Sequence, residues 1–402
     1  MSPILVLFVV DGFSKVFLAL ASLILIKYLS VGEFAQFSVV FTASMMSYQV
    51  ICGIIERLYI SDHQSYEKEG GVSSFFLIVV FGSVIATYVF FHSDLWAATL
   101  TVILTYLCTK YQIQRIKKQK EERFFIYAFV DMLRSAAWLS LLYIKFMVPM
   151  VIPYVTNEFF ALGTFAILAI LANSLLYMVS KPNKVQSHSF SFYVHQIGFS
   201  IKYFISRRDV FLYSILGGVI PYYPFIVATV AHNESLISTY GAAMRYQAIF
   251  SMVLMAVNTV VIARFCNRKD IIQAQARAFY KVLPLAILCL IIAIASIWWV
   301  IPYIDDGKYP GMRVAFVILS SCSVISLIST VAVNQLLAFN SYRVMLKGMF
   351  TGFLLMMLFT PVFSFLNPDM GPLISMVTGY LTIAVLMIRN ASKEKVLENI
   401  VS

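Results

Sequence analysis

The chain has 402 residues, 60% of them hydrophobic and only 12% charged, with a formal net charge of +11 and a mean hydropathy of +0.85. Soluble domains carry about 25% charged residues, so a soluble globular protein is excluded and an all-α, polytopic membrane protein is expected. In such a chain surplus Lys and Arg report orientation in the bilayer first. No nucleic-acid partner is inferred from them.

About twelve stretches approach the length of roughly 20 apolar residues that spans a bilayer. They run 4–29, 35–58, 73–92, 95–114, 125–147, 159–180, 211–231, 240–263, 282–304, 313–335, 344–366 and 370–389. The first, Ile4 to Leu29, carries Asp11 and Lys15 in its interior. A charge at the middle of a lone spanning helix costs roughly 2.5–3.5 kcal/mol. The two side chains must therefore face protein or water. Their spacing of four puts them on one helix face, where each partly neutralises the other. They are read either as a pair that contacts substrate or ion in a polar cavity, or as a structural ion pair. The N-terminus lacks a basic region, and Asp11 and Lys15 interrupt the apolar run ahead of Ala19-Leu20-Ala21. An uncleaved first helix is expected.

The fifth span holds Asp131 and Arg134, three residues apart on one face, with snorkelling of Arg134 as the alternative. The connector 181–210 is basic and splits the chain into halves at 1–180 and 211–402. Within it, Phe190 to Phe204 mixes apolar and basic residues. It reads either as an amphipathic helix on the membrane surface or as a solvated connector. The seventh span contains Gly217, Gly218, Pro221 and Pro224, with Tyr222 and Tyr223 between the prolines. Prolines remove backbone donors and break helices, which makes this segment a candidate hinge or ligand-facing break, or a packing kink. The tyrosines suit stacking on sugars or plain packing. Arg245 lies just inside the eighth span, where a planar guanidinium suits bidentate binding of phosphate oxygens or simple snorkelling. Gln49, Asn173, Asn258, Asn334 and Gln335 read as interhelical hydrogen-bonding residues.

The Lys and Arg placement tests this topology. With the N-terminus cytoplasmic, twenty-three of the 30 fall in the inside links and tail, against Lys27, Lys145, Lys308 and Arg313 outside. Both termini are therefore expected on the cytoplasmic side. Trp96, Trp298 and Trp299 fall near the expected outer interface. The longest outside link, about 146–158, leaves no room for a sizeable outer domain. The hairpins at Ser30 to Phe37 and Asn233 to Tyr240 echo each other, each a short polar link with one acid, which suits two parallel repeats. Cys52, Cys108, Cys266, Cys289 and Cys322 have no metal-ligand spacing and read as buried small residues. His63, His92, His188, His195 and His232 all sit in links or at span ends. With no HExxH, phosphate loop or nucleophile elbow, no cofactor, metal or enzyme activity is expected, and transport rests on a gradient.

Three segments carry a resemblance. They are Leu25-Ile26-Lys27-Tyr28-Leu29-Ser30-Val31-Gly32-Glu33-Phe34-Ala35-Gln36-Phe37, Tyr240-Gly241-Ala242-Ala243-Met244-Arg245 and Pro368-Asp369-Met370-Gly371-Pro372-Leu373-Ile374-Ser375. With the twelve-span layout, they resemble the polysaccharide-exporting branch of the multidrug/oligosaccharidyl-lipid/polysaccharide exporter superfamily, of the O-antigen flippase type. Ala35 stands where that family usually has Gly, and Tyr222 and Tyr223 occupy the region of its common acidic residue. The resemblance implies two six-helix lobes working by alternating access in a bacterial inner membrane. It implies an undecaprenyl-diphosphate-linked oligosaccharide as substrate, with membrane lipid and glycan polymerase and chain-length proteins as partners. Lys15, Arg134, Arg245, Tyr222 and Tyr223 are then the expected substrate contacts, and Asp11 and Asp131 the expected ion-coupling groups. A cation-coupled multidrug or small-solute exporter is the nearest rival, and a membrane glycan polymerase or acyltransferase the enzymatic one.

Overall fold

The computed structural model of the chain describes residues 3–61, 74–120, 124–147, 156–179, 190–248 and 272–401. Among these residues the chain is helical throughout, joined by turns, with no strand. The helices are α1 (Pro3–Tyr28), α2 (Val31–Glu56), α3 (Ser74–His92), α4 (Leu95–Lys120), α5 (Phe124–Met147), α6 (Asn157–Val179), α7 (Phe190–Ser206), α8 (Arg208–Val219), α9 (Tyr223–Val230), α10 (234–248), α11 (Ile272–Asp305), α12 (Met312–Ala338), α13 (Tyr342–Leu366) and α14 (Gly371–Val401). Nine stretches among the described residues are long and apolar enough to cross a bilayer. The chain is thus an all-α, multi-pass membrane protein. Each expected span falls on a helix, although the eighth is described only to residue 248.

The helix ends depart from the expected ones for local reasons. α2 begins at Val31, four residues early, because Ser30 caps it. The Ser30 hydroxyl accepts from the Glu33 N–H, and the Glu33 carboxylate accepts from the Ser30 N–H at 2.8 Å. This capping box satisfies two otherwise orphaned donors. α11 starts at Ile272, so the link expected at 265–281 is partly helix. α14 runs on to Val401, past the expected end at 389. The amphipathic segment is a helix, α7, with Ser200 and Tyr203 buried and Phe199, Ile201 and Ile205 exposed. The proline-rich seventh span is interrupted by a single 3-10 turn, Ile220–Tyr222, between α8 and α9. A missing backbone donor at Pro221 accounts for the break.

The chain divides into two compact units. Unit 1 holds Met1–Arg208 together with Ala228–Gly241, and unit 2 holds Asp209–Val227 and Ala242–Ser402. In unit 1, α1 lies along α5, and α2 packs on α3, α4 and α6. Trp138 of α5 stacks on Phe41 of α2 at 6.3 Å and meets Phe165 of α6 edge-on at 5.0 Å. Its indole N–H donates to the Ala161 carbonyl at 3.1 Å, so the buried donor is satisfied. Asn173 donates across to the Leu107 carbonyl at 3.2 Å, an interhelical bond of the kind expected of it. Asn258 lies outside the described residues. Cys52, Cys108 and Cys322 are buried, but Cys289 is exposed on α11, contrary to expectation. A thiol is apolar enough to face lipid, and Leu285, Leu288, Ile291 and Ile292 around it are exposed too. Cys266 lies outside the described residues.

In unit 2, α14 packs closely on α12 and α13. Gly352 of α13 makes a close approach to α14 possible. A Cβ there would stand 2.4 Å from the Ile383 Cγ1 and 2.9 Å from the Gly379 carbonyl oxygen. Neither a β-branched side chain nor a backbone carbonyl yields easily. Gly352→Ala is expected to destabilise by about 1–3 kcal/mol and to lower the thermal midpoint in detergent. Gly163→Ala, whose Cβ meets nothing within 4 Å, is expected to leave the midpoint unchanged or raise it slightly.

Candidate functional site

α1 and α5 lie side by side, and their contact is polar at one level. Ser14 of α1 is 1% exposed, and its hydroxyl donates to the Asp131 Oδ2 at 2.9 Å. The same hydroxyl lies 3.2 Å from the Ser135 hydroxyl, one turn further along α5. The other carboxylate oxygen of Asp131 accepts from the Arg134 Nη2 at 2.6 Å. The spacing of three on a helix makes this geometry available. Arg134 therefore does not snorkel. Its guanidinium lies over the Tyr111 ring at 4.6 Å and the Phe165 ring at 5.5 Å. A weakly hydrated planar cation is well suited to such aromatic faces. Its buried Nε has no hydrogen-bond partner among the described residues.

Further charges approach from neighbouring helices. Lys15 of α1 and Arg115 of α4 both act electrostatically on Asp131. Arg115 also sits 4.9 Å over the Tyr127 ring and acts on Glu56, as does Arg57. Among the described residues Lys15, Arg57, Arg115 and Arg134 thus gather with Asp131 and Glu56; Asp131 is buried and the other five are half-buried. A charge taken out of water needs a partner, and the Asp131–Arg134 pair meets that need for both.

The second group of expected residues lies in unit 2. Tyr223, just after the helix break, has its hydroxyl 2.6 Å from the Thr360 hydroxyl. Thr360 is in turn 2.8 Å from the Ser375 hydroxyl, which makes a chain across α9, α13 and α14. Tyr222 is buried and lies near the half-buried Arg245 of α10. Gly217 and Gly218 lie in the last turn of α8, Pro221 in the 3-10 turn and Pro224 in the first turn of α9. The structure therefore gathers Lys15, Asp131 and Arg134 in one unit and Tyr222 and Arg245 in the other. The side chain of Asp11 lies outside the described residues.

Sequence reasoning missed Ser14, Ser135, Tyr111 and Arg115 in the first group, and Thr360 and Ser375 in the second. Single hydroxyls in apolar helices normally bond their own backbone, so nothing local distinguishes Ser14 from Ser44, which donates to the Val40 carbonyl at 2.7 Å. Only the partner helix does.

No family model matches the chain, and no curated protein matches it. Solved structures do match over nearly its whole length. The lipid II flippase MurJ, in an inward closed conformation, aligns with a TM-score of 0.67 at 12% identity, over 96% of this chain and 87% of that one. The eukaryotic MATE transporter AtDTX14 aligns at 0.61 and 13% identity, over 96% and 93%. An inward-facing multidrug resistance MATE family transporter of the MOP superfamily aligns at 0.62 and 13% identity, over 94% of each chain. At these identities the likeness is one of fold. The chain has the fold of the MOP-superfamily transporters.

Removing one member of the Asp131–Arg134 pair strands the other. Asp131→Ala and Arg134→Ala are each expected to cost about 3–5 kcal/mol, read as a lowered unfolding midpoint in detergent. The apolar double replacement Asp131→Leu/Arg134→Met is expected to cost less than either single change. Additive losses would contradict the pairing.

Proposed function

We propose that this protein is a flippase for a lipid-linked glycan. It moves an undecaprenyl-diphosphate-linked oligosaccharide repeat unit, of O-antigen or a similar surface polysaccharide, across a bacterial inner membrane. The observation that carries the reading is the gathering of four basic side chains, Lys15, Arg57, Arg115 and Arg134, beside Asp131 and Glu56 on helices of unit 1. Half-buried cations attract a diphosphate more strongly than fully exposed ones do. The likeness in fold to a lipid II flippase supports the same substrate class.

The proposed division of labour follows the chemistry of each group. Lys15, Arg134 and Arg245 receive the diphosphate, and Tyr222 and Tyr223 offer aromatic faces to the sugars. Asp131, with Asp11, exchanges protons or another cation and resets the charge of the site. The break at Gly217, Gly218, Pro221 and Pro224 is the hinge for alternating access. Both termini are cytoplasmic, as the Lys and Arg bias suggests. Glycan polymerase and chain-length proteins are the proposed partners downstream. No chemical step on the substrate is assigned.

A second reading is a cation-coupled exporter of drugs or other small solutes. The likeness in fold to MATE transporters favours it. A site for apolar cations calls for acidic residues, however, and four of the six charged residues named in the described group are basic.

Deleting the gene and analysing glycan on both leaflets tests the proposal. The expected result is loss of surface polysaccharide, with lipid-linked repeat units accumulating on the cytoplasmic leaflet. Complementation by Lys15→Ala or Arg245→Ala, expressed normally, is expected to restore surface glycan at least about tenfold less well, the scale of one lost charged hydrogen bond. Single repeat units at the surface without long chains would indicate a polymerase. Unchanged glycan would overturn the reading.

A further inference from the structure

Tyr223 opens α9 directly after the 3-10 turn. Its hydroxyl ends a chain that runs through Thr360 of α13 to Ser375 of α14. All three residues belong to unit 2. Ser375 is fully buried, and Tyr223 is 8% exposed. The surroundings hold the chain in place. Gly371 leaves no room for a Cβ against the Ser364 backbone, so the start of α14 is pressed onto the end of α13. The Phe353 ring meets the Tyr223 ring edge-on, with centroids 6.0 Å apart and planes at 83°. Ring and hydroxyl of Tyr223 are thus both fixed.

Counting protons gives the chain a direction. Each hydroxyl has one proton to donate, and a carbonyl can only accept. The Thr360 Oγ1 also lies 2.7 Å from the Met356 carbonyl, and the Ser375 Oγ 2.9 Å from the Pro372 carbonyl. Suppose Tyr223 accepted from Thr360. Ser375 would then have to donate to Thr360, and neither carbonyl would receive a hydroxyl. The Tyr223 proton would be left with no acceptor among the described residues. With Tyr223 donating to Thr360 at 2.6 Å, the other two protons serve the Thr360–Ser375 contact and one carbonyl, whichever way that contact runs. A buried donor left unpaired is costly, so Tyr223 donates. Its oxygen keeps a lone pair and has no proton to offer elsewhere.

We propose that Thr360 and Ser375 are positioning residues that make Tyr223 a hydrogen-bond acceptor only, so that the part of the cargo it meets is a sugar hydroxyl and not the diphosphate. This rests on the lipid-linked glycan put forward above as cargo. A phosphate oxygen accepts and does not donate, so it finds nothing at the Tyr223 oxygen. A sugar hydroxyl donates to that oxygen while its ring lies along the aromatic face. The hydroxyl chain thereby sorts the two ends of the head group. The sugars go to Tyr223, and the diphosphate is left to the basic side chains. Thr360 touches no cargo in this arrangement and acts through Tyr223.

Binding of two lipids to the full-length protein in nanodiscs tests this. One is the lipid-linked glycan extracted from cells lacking the gene, and the other is undecaprenyl diphosphate without sugar. Wild-type protein is expected to bind the glycan lipid more tightly. Tyr223→Phe keeps the ring and loses the oxygen. It is expected to weaken the glycan lipid about fivefold, the scale of one neutral hydrogen bond, and to leave the sugar-free lipid unchanged. Thr360→Val keeps the shape, removes the acceptor and is expected to cause the same selective loss, which Thr360→Ser restores. Tyr223→Phe/Thr360→Val is expected to bind no more weakly than Tyr223→Phe alone, because one residue acts through the other. Equal losses for both lipids would mark a merely structural role and overturn the proposal. So would unchanged glycan-lipid binding in Thr360→Val with a wild-type unfolding midpoint. Wild-type protein that binds the two lipids equally would overturn the glycan cargo itself, and this inference with it.

Discussion

A charge that cannot reach water must find its partner inside the protein, and in unit 1 that constraint is met by Asp131 and Arg134. The 2.6 Å ion pair, the Ser14 hydrogen bond and the aromatic faces of Tyr111 and Phe165 form one arrangement. Each element that supplies a piece is fixed by it. α1 must present Ser14 to α5, α4 must bring Tyr111 under the guanidinium, and α6 must place Phe165 beside it. One turn further along, the aromatic contact of Trp138 with Phe41 and Phe165 secures α5 and α6 again and brings in α2. Polar and apolar packing thus agree on one set of helix neighbours, which is what specifies a unique bundle where hydrophobicity alone does not distinguish helix from lipid.

The pairing also shapes the functional reading. Arg134 is partly neutralised by Asp131, so it is a poor solitary anion receptor. Lys15 and Arg115 bring further positive charge close to Asp131. Protonating Asp131 would remove its negative charge and leave Arg134 less well matched. In the proposed cycle this links ion exchange at the carboxylate to the affinity of the neighbouring cations for a diphosphate. The coupling and the binding group need not be separate places in the fold. They need only share one hydrogen-bonded network.

Much of the fold is legible in the sequence. The apolar stretches fall on helices because the bilayer demands both length and internal hydrogen bonding. The break in the seventh span follows from Pro221 and the Gly217-Gly218 pair before it. Asp131 and Arg134 are visible because an ionisable residue in an apolar run is costly and therefore meaningful. What could not be read was contact across helices. Ser14 looks like any hydroxyl in a membrane helix until α5 is beside it. The apolar run alone points to a start of α2 at 35, whereas the capping-box spacing of Ser30 and Glu33 sets it at Val31. A lone Cys in an apolar run suggests burial, and the surroundings of Cys289 on α11 leave it exposed instead. The bonded hydroxyls of Tyr223 and Thr360 lie 137 positions apart in the chain, and no local pattern joins them.

The central claim is that this chain moves a lipid diphosphate carrying sugar. The purified protein in liposomes, with a polyprenyl-diphosphate oligosaccharide bearing a fluorophore on its sugar, tests it directly. A membrane-impermeant reductant added outside bleaches only the outer leaflet. Protein-free vesicles retain about half the signal. The account predicts that vesicles containing the protein lose nearly all of it, and that Lys15→Ala slows the loss. Retention of half the signal with wild-type protein, alongside uptake of a lipophilic cation by the same vesicles, would contradict it in favour of a cation exporter.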